Sequence, residues 1–174
     1  MTYNNTDILK GLLDYYFLFK DLVTMHRKLG YGKAPRLSEG FTETLCAYLF
    51  NFERAKNVKR EFDLIDPVNN FCIEVKATSD DCGATTINPN AKFDYLYWVN
   101  FRIDFDCLWV RKISFDEISK KIENKKNQKR VNCTLRNFAA SGAIQLFIFL
   151  KEKQSISEMP VEALSTVFGE EIQK

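Results

Sequence analysis

The residue types best suited to chemistry in this chain lie between Glu61 and Lys76. On a strand, alternate side chains share a face, so Cys72, Glu74 and Lys76 are expected to point one way. Phe71, Ile73 and Val75 then point the other way, toward a core. Asp63 precedes the predicted turn Asp66-Pro67-Val68-Asn69-Asn70 and can approach Glu74 from the partner strand of a hairpin. Two carboxylates held close suit a hard divalent cation such as Mg²⁺, which prefers oxygen ligands and keeps several waters. A backbone carbonyl at Val75 can add a further oxygen ligand between the two side chains. Such a cation polarises a phosphate and lowers the pKa of a bound water, and Lys76 is placed to hold or activate that water. Glu43, on a predicted helix ahead of the hairpin, can serve a second metal or orient a metal water. Asp66 is a rival ligand to Asp63, with its turn setting favouring Asp63. Glu-x-Lys alone is commonly an exposed charge pair; its weight here comes from the aspartate, the apolar frame and the glutamate-bearing helix around it.

The elements that must position these groups follow from periodicity. Thr6 or Asp7 caps a first helix carrying Leu9, Leu12, Leu13, Tyr16, Phe17 and Phe19, with Gly30 and Gly32 ending it. Ser38 caps a second helix running to about Phe52, in which Phe41, Leu45, Tyr48, Leu49 and Phe52 share one side. Strands are expected at Val58–Ile65 and Phe71–Ala77, then a polar stretch from Thr78 to Lys92, then strands at Tyr95–Phe101 and Cys107–Ile113. Ser114 and Glu117 have capping-box spacing and open a helix to roughly Asn124. A strand at Ile144–Leu150 and an amphipathic helix over 157–172 close the chain. The expectation is one α/β domain over 1–174, a mixed central sheet flanked by helices. Its core spans about 38–150, with the helices 6–29 and 157–172 as additions.

Composition narrows the function classes. The 174 residues are 45% hydrophobic and 28% charged, with a net charge of +2, the balance of a globular domain. Five cysteines, Cys46, Cys72, Cys82, Cys107 and Cys133, are widely spaced, and His26 is the one histidine. That argues against structural zinc and against a histidine-dependent hydrolase. No apolar run suits a bilayer, and the first residues lack a signal-peptide pattern, so a cytoplasmic protein without a membrane partner is expected. A small-molecule hydrolase would need a nucleophile, a histidine base or a phosphate-binding glycine loop, and none is evident.

Positive charge is clustered. His26–Arg36 carries Arg27, Lys28, Lys33 and Arg36 without an acid, and Lys120–Arg136 carries seven cations, Lys129 and Arg130 among them, against Glu123. Such runs suit phosphate contacts. Beyond the Glu-x-Lys strand, Thr78, Ser79, Thr85, Thr86, Asn88 and Asn90 offer donors and acceptors for base edges in a major groove. The expected DNA-contacting set is Lys33, Arg36, Ser79, Thr85, Thr86, Asn88, Lys129 and Arg130.

Ser38-Glu39-Gly40-Phe41-Thr42-Glu43, Phe62-Asp63-Leu64-Ile65, Ile73-Glu74-Val75-Lys76 and Lys92-Phe93-Asp94-Tyr95-Leu96-Tyr97-Trp98-Val99 together resemble the PD-(D/E)xK nuclease superfamily. The resemblance is to its small type II restriction endonucleases, within these to the GCNGC-cutting group, and covers roughly Ser38 to Ile113. It implies a restriction-endonuclease-like fold and Mg²⁺-dependent cleavage of double-stranded DNA by a homodimer. Asp63, Glu74 and Lys76 would be the catalytic trio, with Glu43, or less readily Glu39, as helper. It also implies a DNA methyltransferase as a genetic rather than physical partner. The chain departs from the pattern in having no proline before Asp63 and no clear helix between the Glu-x-Lys strand and Tyr95. A structure-specific repair or junction-resolving nuclease of the same fold, or a non-catalytic nucleic-acid-binding domain, are the alternative readings.

Overall fold

A long first helix, α1 (Asn5–Lys28), begins with Asp7 in its first turn and ends with His26, Arg27 and Lys28 in its last. Asp7 at the start and Arg27 and Lys28 at the end complement the helix dipole. Gly30 sits in the left-handed region at φ 65°, and the Tyr31 N–H closes the helix onto the His26 carbonyl at 3.2 Å, a glycine stop. The second helix, α2 (Glu39–Phe50), starts where the Ser38 hydroxyl accepts the Phe41 N–H. It stops two residues earlier than periodicity suggests, because Asn51 adopts a left-handed φ of 58° and turns the chain. Asparagine tolerates that conformation where most residues do not.

The computed structural model describes residues 5–32, 35–55, 62–78, 83–125, 127–134 and 144–160. After α2 come strands β1 (Glu53–Arg54), β2 (Leu64–Ile65), β3 (Cys72–Thr78), β4 (Ala84–Ile87), β5 (Tyr95–Arg102) and β6 (Cys107–Ser114). Helix α3 (Phe115–Ile122) and strands β7 (Val131–Thr134), β8 (Ile144–Leu150) and β9 (Ser155–Met159) complete the order. A seven-stranded sheet runs β1-β2-β3-β5-β6-β8-β9, while β4 and β7 form a separate two-stranded ribbon. In the large sheet β3 and β5 are parallel and the other neighbouring pairs antiparallel.

The central strand β5 shows why the sheet is buried on both faces. Tyr97, Val99 and Phe101 join the core beneath α1 and α2, with Leu13, Tyr16, Leu45, Ile73 and Val75. Leu96 and Trp98 point the opposite way, into a second core with Ile118 and Ile122 of α3 and Ile87, Val131 and Cys133 of the ribbon. A strand covered on both sides reads as a continuous apolar run, as this one does. Helix α1 is locked to β8 and to the β5–β6 connection: Tyr16 stacks on Phe149 of β8, and Lys20 binds the Asp106 carboxylate at 2.6 Å. None of the described helices is long and apolar enough to cross a membrane.

Four expectations are corrected. The strand expected over Val58–Ile65 is ordered as Leu64–Ile65 alone among its described residues, with residues 56–61 outside them. The polar stretch Thr78–Lys92 contains β4, which pairs with β7 in the basic region. The alternation Val131 and Cys133 inward, Asn132 and Thr134 outward is a four-residue strand signal hidden within that basic run. Ser157 lies on β9, paired with Ile148, rather than opening a helix; residues 161–174 lie outside the described ones.

Candidate active site

Backbone register brings the predicted carboxylates together. Leu64 faces Ile73 and Ile65 faces Cys72, so Asp63 stands opposite Glu74. The Asp63 N–H donates to the Ile73 carbonyl at 2.9 Å. Its carboxylate Oδ2 accepts the Val75 N–H at 2.8 Å, which fixes that carboxylate on the open edge of β3 beyond the short strand β2. N–H and C=O of one strand residue leave on the same edge, so the Val75 carbonyl is directed beside the Asp63 carboxylate. Asp66, in contrast, is spent on its turn: it accepts the Val68 and Asn69 N–H groups and the Asn69 side-chain amide. The Asn69 hydrogen bond is the main cause of its lowered pKa.

Glu74 and Lys76 share a face of β3, as strand alternation requires, and form an ion pair. Burial raises the Glu74 pKa above the ordinary carboxylate range; Lys76 pulls it back, and the negative charges of Asp63 and Glu43 push it up again. Burial also raises Asp63, against the lowering effects of the Val75 N–H and Lys76, with Glu43 and Glu39 adding to the rise. The two acids therefore form a crowded, partly desolvated negative site with one ammonium attached. Such a site gains from added positive charge.

Glu43 reaches the same region from α2 and pairs with Arg54 of β1. Periodicity gave no sign of Arg54, which acts from a two-residue strand. Among the described residues no three His, Cys, Asp or Glu side chains converge as a metal-holding cluster. The available donors are Asp63, Glu74 and the Val75 carbonyl. They fit a Mg²⁺-type ion, which is held by one or two carboxylates and completes its shell with water.

Asp63, Val75, Lys76, Glu43 and Glu39 line a cleft of about 490 Å³. Of the residues expected to contact DNA, Arg36, Thr85 and Thr86 line the same cleft. Asn88 is exposed, and its side-chain oxygen accepts the Asn90 N–H. Lys129 and Arg130 are exposed on the turn that leads into β7, and Lys33 and Ser79 lie outside the described residues. Asn132 was not anticipated. It stands directly across the ribbon from Thr86 and lines the cleft. Thr42 and Gly83 also line it unforeseen. Gly83 lies so close to Thr78 that a Cβ there would fall 2.4 Å from the Thr78 Cβ.

A mixed sheet clasped between two helices on one face and a helix with a β-ribbon on the other is a restriction-endonuclease-like α/β fold. Val75, Lys76, Ala77 and Thr78 of β3 and Phe101 of β5, the strand parallel to it, line the cleft. The chain belongs to the Bsp6I restriction endonuclease family, whose model matches residues 4–142. It is accordingly a type II restriction endonuclease, a site-specific nuclease that binds DNA. A search of curated proteins finds no matching relative.

Proposed function

We propose that the chain hydrolyses phosphodiester bonds of double-stranded DNA with Mg²⁺, at Asp63, Glu74 and Lys76. The observation that carries this reading is the register of the short β2–β3 hairpin, which sets Asp63 against Glu74 and Val75 with Lys76 on the Glu74 carboxylate. Asp63, Glu74 and the Val75 carbonyl would hold the ion, which supplies phosphate polarisation and a more acidic attacking water. Lys76 neutralises Glu74 in the metal-free chain; with the carboxylate engaged elsewhere, its ammonium is free to position the water and to offset charge on the phosphoryl oxygens. Glu43, tied to Arg54, holds negative charge beside the pair and orients water at the edge of the site. The duplex lies along the cleft, with Arg36, Lys129 and Arg130 on phosphates and Thr85 and Thr86 toward base edges. The trio supplies the aspartate and the Glu-x-Lys of the PD-(D/E)xK pattern without the proline before Asp63, and the recognition sequence is proposed to be GCNGC.

The test is incubation with plasmid or phage DNA in Mg²⁺ or in EDTA. Discrete fragments mapping to GCNGC, formed with Mg²⁺ and absent with EDTA, are expected. Glu74→Ala and Lys76→Ala should each lower cleavage by at least about a hundredfold while leaving duplex binding in a gel-shift assay within a few-fold of the parent. Normal cutting by both variants would overturn the site. Metal-independent cutting would overturn the role given to Mg²⁺.

A further inference from the structure

Eight large apolar side chains stay exposed among the described residues, and six of them fall between Tyr15 and Tyr31. Five of these, Tyr15, Leu18, Leu22, Met25 and Leu29, follow one another at alternating steps of three and four residues. That is heptad spacing, which aligns side chains into one seam along a helix. Leu18 is 70% exposed and Leu22 50% exposed, although Leu12, Leu13, Tyr16 and Val23 on the other side of the same helix are buried. Helix α1 thus carries two apolar faces, and among the described residues the core uses one of them.

We infer that the second face pairs with the same face of a second copy of this chain, the two α1 helices running antiparallel about a two-fold axis near Lys20. The spacing is self-complementary in that direction. Leu18 meets the partner's Leu22, and Tyr15 meets the partner's Met25. Gly11, with open space where a side chain would stand, makes room for the partner's Leu29. The flanks agree in charge. Asp7, Asp14, Asp21 and Lys28 recur at seven-residue intervals along one flank of the seam, with Lys10 and Lys20 off it, so antiparallel pairing can set an acid of this flank against Lys28 and opposes the helix dipoles. In this register Asp14 lies beside the partner's Lys28 on each side of the axis. Asp21 lies beside the partner's Asp21, which weakens the contact. Phe19, on the flank of the same helix, lines the cleft, so the pairing seats one cleft on either side of the axis, as two strands of a symmetric duplex site require. The inference stands apart from the hydrolytic reading of the cleft, because its readout is mass.

Sedimentation of the whole chain, free of DNA, is expected to give about twice the 20.3 kDa chain mass. Leu18→Glu combined with Leu22→Glu should give the single-chain mass with an unchanged far-ultraviolet circular dichroism spectrum. Asp14→Lys and Lys28→Asp should each raise the dimer dissociation constant about five-fold. Placed in one chain, the two substitutions should restore it, which an intrahelical or purely structural effect would not do, and Asp21→Asn should tighten the dimer. A monomeric parent chain, as would follow if residues 161–174 with Val161, Leu164 and Phe168 covered the seam, overturns the proposal. So does a dimer that survives the double glutamate substitution, or a charge exchange that fails to restore pairing.

Discussion

Asp63 and Asp66 are three residues apart, and the structure gives them different work. Asp63 is bound to the backbone of β3 beside Glu74, whereas Asp66 closes its own turn. Asp63→Asn is therefore expected to abolish Mg²⁺-dependent cleavage. Asp66→Asn should keep cleavage and lower the urea midpoint slightly through the weakened turn; comparing cleavage rates and urea midpoints of the two variants checks the division. The sign of the pH dependence follows from the same groups. Asp63 and Glu74 both have pKa values raised in the folded chain. Their contribution to stability is fully present below their unfolded values, near roughly pH 4, and is lost as pH rises through the folded values. Without metal, this pair should destabilise the chain as pH rises from about 4 toward neutrality. Mg²⁺ needs the ionised forms, so its thermal stabilisation should grow over that interval. Calorimetric scans with and without Mg²⁺ read both trends; a metal-induced shift that shrinks with rising pH would contradict the assignment.

At the scale of elements, one close approach joins the end of β3 to the start of the ribbon. The Thr78 hydroxyl, at the end of β3, accepts hydrogen bonds from the Trp98 indole at 3.2 Å and the Asn100 amide at 3.3 Å. Gly83 lies against that threonine with no room for a Cβ. Gly83→Ala is expected to displace Thr78, cost about 1–3 kcal/mol by overpacking and lower cleavage, since both residues line the cleft. A thermal midpoint equal to the parent's would show that the ribbon shifts freely. Gly83 falls in the polar stretch expected between Thr78 and Lys92, but nothing local announces that its hydrogen is needed for a neighbour five positions back. The capping box of α3 was more legible. Ser114 and Glu117 bond each other's backbone as their spacing foretold, because such a cap is completed within one turn of helix.

Across the whole molecule, α1 is tied to the opposite end of the sheet by Asp106. This residue holds a left-handed φ of 51° and accepts from Lys20 and from the Tyr16 hydroxyl. Burial, reinforced by the Asp106 charge, raises the Tyr16 pKa and keeps the phenol protonated as a donor. Asp106→Ala removes the acceptor and puts alanine in a conformation it disfavours. A loss of about 1–3 kcal/mol is expected, seen as a drop of about 2–4 °C in thermal midpoint per kcal/mol. An unchanged midpoint would mean that the apolar packing of α1 alone sets its position.

Local pattern was enough to determine the helices α1, α2 and α3, the long strands β3, β5, β6 and β8, and the facing of Glu74 and Lys76, because strand and helix periods are written in neighbouring residues. It favoured Asp63 over Asp66 from the turn setting of Asp66 but left Asp66 as a rival, since a turn aspartate can still reach outward. Only the tertiary structure decided that Thr86 stands across from Asn132, that Arg54 meets Glu43, and that a second apolar face of α1 is exposed among the described residues. Each of those joins segments distant in sequence or depends on what the rest of the chain covers. Their pairing is fixed by how two cores close on a shared sheet, a condition no single segment carries.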